Sequence, residues 1–349
     1  MLNTLLHPDT IARAYQWLCQ TRKHHPPNAD IWHFRFHWRK EITQIKQQIV
    51  DKKYLFSALQ LINKADGSQV AVWSSRDALV LKMLTLTLQD ILPCHKLCTH
   101  FKGHGGAKQS VQTTHDRINS GQYGSVIRTD IKGYYANIQK RPLIDQLAQH
   151  IHCPIILNLM NQYLHYSVEN GANFHTPTKG ISRGCPLSPL MAGFQLYEID
   201  RYFGKQKRLS YTRYMDDFLI LCSTRWQCRR AVKALNQFFD AFGFKQHPNK
   251  TQIGKITKGF DWLGYQFNEA GILYASSRTL TNHSNTLRRL YEQARRSKQP
   301  PDAIERRVAK YRIRWQRWLQ SGLTTTLPIK ISDYDIGCEL AIDVGKAVL

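Results

Sequence analysis

Leu209-Ser-Tyr-Thr-Arg-Tyr-Met-Asp-Asp-Phe-Leu-Ile-Leu221 sets two adjacent carboxylates, Asp216 and Asp217, inside a run of aromatic and aliphatic residues. An acidic pair among such neighbours costs folding free energy unless something cationic meets it. The apolar residues on either side favour strands, so the stretch predicts two short strands joined by a tight turn with the acids at its tip. A hard divalent cation such as Mg²⁺ prefers carboxylate oxygens, and this turn would present two of them. The stretch also fits a plain exposed acidic turn.

Upstream, Val126-Ile-Arg-Thr-Asp-Ile-Lys-Gly-Tyr-Tyr135 runs an apolar strand into Asp130 and follows it with an aromatic pair. An Asp at a strand end is commonly a turn or capping residue. Here it also supplies a third carboxylate. Three acids at one site would hold two Mg²⁺ ions, the arrangement that activates a hydroxyl and neutralises a departing pyrophosphate in an in-line displacement.

The order of motifs then resembles a reverse transcriptase of the bacterial group II intron and retron-like lineage, over roughly residues 70 to 270. Trp73-Ser-Ser-Arg-Asp-Ala-Leu-Val80 resembles the first block, and Phe101-Lys-Gly-His-Gly-Gly-Ala-Lys108 stands at the second. Thr129–Tyr135 resembles the palm strand with the first catalytic Asp, and Lys179-Gly-Ile-Ser-Arg-Gly-Cys-Pro-Leu-Ser-Pro189 the block beneath nucleotide and template. Tyr214–Asp217 matches the YxDD box, His247-Pro-Asn-Lys-Thr251 the block near the departing pyrophosphate, and Phe260-Asp-Trp-Leu-Gly-Tyr265 the primer grip. One departure stands out. Arg183 occupies a position where the family usually has Gln, adding a fixed charge and a planar donor fork.

The resemblance implies an α+β right-hand polymerase fold with an antiparallel palm sheet and a helical thumb. Fingers would span 1–125, palm 126–272 with a finger-side helical insertion at about 140–178, and a basic thumb and tail 273–349. It implies RNA-directed DNA synthesis with Asp130, Asp216 and Asp217 as catalytic metal ligands for two Mg²⁺ ions, with Mn²⁺ as a substitute. Tyr135 would lie under the sugar and select dNTPs. Arg183, Lys250, Lys64 and Arg76 would meet the nucleotide, and Trp262, Leu263 and Gly264 would grip the primer. Lys64 falls in Leu61–Val72, which reads as a hairpin turning at Asp66-Gly67. The glycine-rich second block fits either a phosphate cradle or a flexible loop.

Charge and composition point the same way. The 349 residues carry a net charge of +24, which implies a polyanionic partner. An RNA template or structured non-coding RNA and a DNA primer fit, whereas a membrane does not, for no apolar run approaches about 18 residues. The N-terminus lacks a signal-peptide pattern, and eight scattered cysteines with no Cys-x-x-Cys pair suit a reducing cytoplasm. His33-Phe-Arg-Phe-His-Trp-Arg-Lys40 interleaves aromatic and basic groups, as a stacking surface or an amphipathic core element would. From Arg278 to Arg317 helical periodicity on either side of Gln299-Pro300-Pro301 predicts two thumb helices with a basic outer face. No nuclease or zinc-finger pattern follows the thumb, so a compact polymerase with a dedicated RNA is expected, in a retroelement or antiviral defence setting. An RNA-binding or maturase-like scaffold, and template-independent or protein-primed synthesis, are the alternatives.

Overall fold

A computed structural model of the chain describes residues 1–63, 69–297 and 299–322. Its strands, in chain order, are β1 (Leu59–Asn63), β2 (Gln69–Val72), β3 (Ser125–Asp130), β4 (Val168–Asn170), β5 (Asn173–His175), β6 (Leu209–Tyr214), β7 (Asp217–Cys222), β8 (Gln252–Lys255), β9 (Phe260–Trp262), β10 (Tyr265–Asn268) and β11 (Gly271–Ala275). They form three sheets, ordered β2-β1-β4-β5, β6-β7-β3-β8 and β11-β10-β9, among many helices. This is the mixed α+β fold expected of the family. Two compact units share the chain, and neither is one continuous segment. The first comprises Met1–Phe101, Asp130–Lys205 and Ala234–Pro248; the second comprises Lys102–Thr129, Gln206–Lys233 and the described residues from Asn249 on.

The first unit is built on the helix Ser75–Leu88, most of whose residues are buried all round. A helix apolar on every face belongs in a core. Ser74 caps it by accepting from the Asp77 N–H at 3.0 Å. The buried Asp77 carboxylate accepts from the Tyr54 hydroxyl at 2.9 Å and the Ser57 N–H at 3.1 Å. Burial nevertheless pushes its pKa up, against those hydrogen bonds.

β1 pairs antiparallel with β2 from Gln60↔Val72 to Asn63↔Gln69, as the hairpin reading expects, while its turn at Asp66-Gly67 lies outside the described residues. The segment 140–178 is only partly helical, with helices Lys140–Ala148 and Pro154–Leu164. After them, β4 and β5 form a hairpin, and β4 pairs parallel with β1. The chain reverses through Gly171 and Ala172, at φ +54° and +70°, the left-handed pair of a type I′ turn. Asn170 pairs with Asn173, so the loop is Gly171-Ala172, one residue beyond where an Asn-Gly signal would set it. Within His33–Lys40, Phe34 is buried and Trp38 stacks on Tyr15 at 3.8 Å, while Phe36 is exposed. The stretch is therefore amphipathic, with part of its aromatic content in the core.

The second unit packs both of its sheets around one core. Val111 and Ile118 of the helix Gly106–Asn119 meet Val126 of β3, Leu219 and Leu221 of β7, and Phe260, Trp262 and Phe267 of the β9–β10 hairpin. Two long helices follow, Ser277–Arg296 and Pro301–Gly322, separated at the prolines as the sequence predicts. They are joined through His283, whose ring stacks on Trp315 at 3.9 Å and hydrogen-bonds the Tyr311 hydroxyl at 3.1 Å.

Candidate active site

β6 and β7 pair antiparallel from Leu209↔Cys222 to Tyr214↔Asp217, leaving Met215 and Asp216 as a two-residue turn. Met215 has φ +57° and Asp216 does not share it, the pattern of a type II′ turn whose first position ordinarily takes glycine. A methionine there is strained by about 1–3 kcal/mol and persists only if its surroundings hold it. Arg213 does so. It is fully buried, its Nη1 donates to the Met215 carbonyl at 2.6 Å, and its guanidinium lies 5.9 Å from the Phe218 ring centroid.

A second buried arginine, Arg128, meets the base of the turn from mid-β3. Its Nη2 is 3.8 Å from Asp217 Oδ1 and 3.3 Å from Asp261 Oδ2, and its Nη1 donates to the Lys250 carbonyl at 2.8 Å. A desolvated guanidinium is tolerable only when paired, and here two carboxylates and a carbonyl share it. The same contacts fix the backbone of the short 3₁₀ turn Pro248–Lys250, and Thr129 and Thr251 hydroxyls add a hydrogen bond of 2.7 Å. Arg128, Arg213 and Asp261 are the site residues that the sequence reading missed. A charged residue within an apolar strand was the available signal for both arginines.

Asp130 ends β3, the strand beside β7 in the sheet order, and is nearly buried. Its carbonyl accepts from the His247 N–H at 2.8 Å. Among the described residues no three His, Cys, Asp or Glu side chains gather into a ready metal cage. Mg²⁺ rarely needs one, since it is held by one or two carboxylates together with water and substrate phosphates. Asp216 and Asp217 carry hard oxygen donors of that kind at the turn, and Asp217 already faces a cation in Arg128.

Of the two tyrosines after Asp130, Tyr134 is core, its hydroxyl donating to the Ala192 carbonyl at 2.7 Å. Tyr135 is half-buried, and the Arg183 guanidinium lies 5.9 Å from its ring centroid. The two blocks are laid together by backbone, with Ile181 N–H donating to the Tyr135 carbonyl and Gly180 N–H to that of Ile138. Gly180 has φ +87°, and a Cβ there would lie 3.0 Å from the carbonyl oxygens of both Tyr135 and Ala136. Beneath, burial pushes the Tyr163 phenol and the Cys185 thiol up, so both meet Ser188 as neutral partners.

The remaining expected contacts divide. Leu263 and Gly264 form the β9–β10 turn at φ +47° and +93°. The Gly264 carbonyl accepts from Ser276 N–H at 2.8 Å and the Thr279 hydroxyl at 3.0 Å, tying the turn to the start of the helix Ser277–Arg296. Trp262 is fully buried and its indole N–H donates to Ser110 Oγ at 3.1 Å, so it supports the turn from the core instead of touching a primer. Arg76 is engaged by Glu41 at 3.0 Å and Gln48 at 2.7 Å. Lys64 lies outside the described residues.

Residues 62–267 match the family described as reverse transcriptase (RNA-dependent DNA polymerase). Two curated relatives are similar: the Saccharomyces cerevisiae putative COX1/OXI3 intron 1 protein, 21% identical over 71% of this chain, and the Escherichia coli K12 protein YkfC, 18% identical over 80%. The chain spans 37% of the yeast protein and 86% of YkfC. Among solved structures, a partial Cas6-RT-Cas1–Cas2 complex aligns with TM-score 0.41 and 20% identity, over 69% of this chain and 41% of that one. The family match covers more than half of the sequence and includes the strained acidic turn, the Tyr135–Arg183 block and the β9–β10 turn: the chain belongs to the reverse transcriptase family.

Proposed function

We propose that this chain is an RNA-directed DNA polymerase that extends a primer 3′-hydroxyl with dNTPs on an RNA template, releasing pyrophosphate. The observation that carries the reading is the acidic turn itself. Met215 is held in a conformation that costs free energy, by a buried arginine, at the point where Asp216 is presented. Strain of that kind has no packing purpose in an ordinary hairpin.

Asp130 and Asp216 would ligate the metal, with Asp217 shared between it and Arg128. Two Mg²⁺ ions, or Mn²⁺ in their place, would activate the hydroxyl and neutralise the phosphates. Arg128 keeps Asp217 oriented and neutralised before substrate arrives. Tyr135 would floor the sugar and exclude a 2′-hydroxyl, and Arg183, its guanidinium 5.9 Å from the Tyr135 ring centroid, would grip phosphate or template backbone as a planar fork. Lys250, its backbone pinned by Arg128, would meet the leaving pyrophosphate. Leu263 and Gly264 would bear on the primer. In these roles residues 1–125 act as fingers, 126–272 as palm and those from 273 as thumb.

The motif series and the +24 charge support a retron-like or group II intron-like polymerase with a dedicated structured RNA, acting in the cytoplasm in retroelement or antiviral defence biology. No helix among the described residues is long and apolar enough to cross a membrane. The test is Asp216→Ala/Asp217→Ala in a primer-extension assay with labelled dNTPs. Incorporation should vanish while RNA binding persists; undiminished incorporation would sink the assignment. Arg183 in place of Gln supports one second reading, template-independent synthesis, which would appear as incorporation that survives removal of RNA.

A further inference from the structure

The end of the β6-β7-β3-β8 sheet away from the acidic turn carries a separate basic cleft. β7 begins at Asp217 and ends at Cys222, a run of about 17 Å at strand rise. At the Cys222 end the helix Arg225–Phe242 begins, and the register pairs Ser125 of β3 with Lys255 of β8. Between them lies a cleft of about 370 Å³ walled by Arg225, Arg229, Lys255 and Lys258, with Cys228 and Ser125 among its lining. Four cations converge on it, two from the helix, one from the end of β8 and one from the 3₁₀ turn Ile256–Lys258. None of them makes an ion pair among the described residues, although acids pair with Arg22, Arg76, Arg128, Arg141 and Arg201 elsewhere.

Unpaired cations at this density repel one another, and folding does not require them to share a cleft. An anion relieves that repulsion. A second feature on the same helix narrows the class of anion. Trp226 is 63% exposed, and the Arg230 guanidinium lies 4.5 Å from its ring centroid. An exposed indole one residue from the cleft offers a π-face to a base, which an acidic peptide has no need of. Cations that track phosphates beside an aromatic stacking platform are how sequence-tolerant single-stranded nucleic acid is held.

We propose that this cleft, together with Trp226, is a second nucleic-acid site that binds a single-stranded stretch of RNA at the end of the sheet opposite the acidic turn. It rests on the polymerase reading only in taking RNA as the partner, and it does not need the acids to be catalytic. An RNA anchored here would be tethered to the enzyme independently of the strand being copied.

The test uses the full chain with its catalytic cleft saturated by unlabelled annealed template–primer, and a labelled oligouridylate as probe. Replacing the four cations by Gln (Arg225, Arg229, Lys255, Lys258) should weaken oligouridylate binding at least about tenfold and lower the salt slope by about 3, at ~0.7 per phosphate contact. Trp226→Ala should weaken it about tenfold, the weight of one stacked base. Extension of the annealed primer should be unchanged in both variants. Asp216→Ala/Asp217→Ala should leave oligouridylate binding intact, so loss of synthesis alone bears on the polymerase reading and not on this one. Because all the replaced side chains lie on the surface, thermal unfolding of the variants should match the parent. Unchanged affinity and salt slope in the four-cation variant would overturn the site, and equal displacement of the probe by polyglutamate would transfer it to acidic protein partners.

Discussion

Arg213 Nη1 lies 2.6 Å from the Met215 carbonyl oxygen, so a buried charge one residue before the YxDD box holds the strained bond of that box. Arg213→Met fills similar volume but leaves the carbonyl without its donor. The expected cost is about 1–3 kcal/mol in urea unfolding, with loss of most primer extension as the turn relaxes. An unchanged midpoint with full extension would show that the turn needs no such support.

The Arg183 guanidinium lies 5.9 Å from the Tyr135 ring centroid. Tyr135→Ala should raise the ratio of ribonucleotide to deoxynucleotide incorporation by about 10- to 100-fold, the scale of discrimination by steric fit. Arg183→Gln should leave stability within about 0.5 kcal/mol, as for other exposed positions, and raise the KM for dNTPs more than it lowers kcat. A fall in kcat alone would move Arg183 from binding to chemistry.

Cys228 is hydrogen-bonded to Cys222, which brings its thiol down to about 7 and pushes that of Cys222 up. Above that pH the thiolate is the major form of Cys228, so its alkylation by iodoacetamide should accelerate through pH 7 instead of near the ordinary thiol value. Cys222→Ala should carry the midpoint back upward. A midpoint unmoved by that replacement would mean that the Cys222 hydrogen bond is not the cause.

Asp77 anchors the first unit through Tyr54, Ser57 and Ser74. Asp77→Ala strands those donors and should cost about 1–3 kcal/mol for each one left buried and unsatisfied, read by denaturant unfolding. The pH sign follows from burial. The folded carboxyl has a raised pKa, so its contribution to stability is fully present below the unfolded value and is lost as pH rises through the folded one. Asp77→Asn, which cannot ionise, should flatten that part of the stability profile; a profile as steep as the parent's would assign the dependence to other groups.

What the sequence disclosed was local. The hairpin at Met215-Asp216, the β1–β2 pairing and the helix break at Pro300-Pro301 each follow from periodicity and turn chemistry within about a dozen residues. Arg128 escaped because its partners, Asp217, Lys250 and Asp261, come from distant segments, and a charge in a strand says nothing of what will face it. Trp262 and Arg76 show the same limit. Motif position marked them, but burial against Ser110 and pairing with Glu41 decide what their side chains can touch. The β4–β5 hairpin went unread, because its strands of three residues are too short for a periodic signal and its loop is Gly171-Ala172.

The threading of the two units has a consequence for how the chain is made. The first unit needs residues through Pro248, and the second begins at Lys102. A ribosome must therefore release more than two thirds of the chain before the first unit has all its parts, and by then half-built elements of the second are already exposed. No single truncation yields either unit free of pieces of the other. Fragments ending within Gln206–Lys233 would lack Ala234–Pro248 and leave both units incomplete, so deletion mapping of this protein would report failure to fold at almost every boundary.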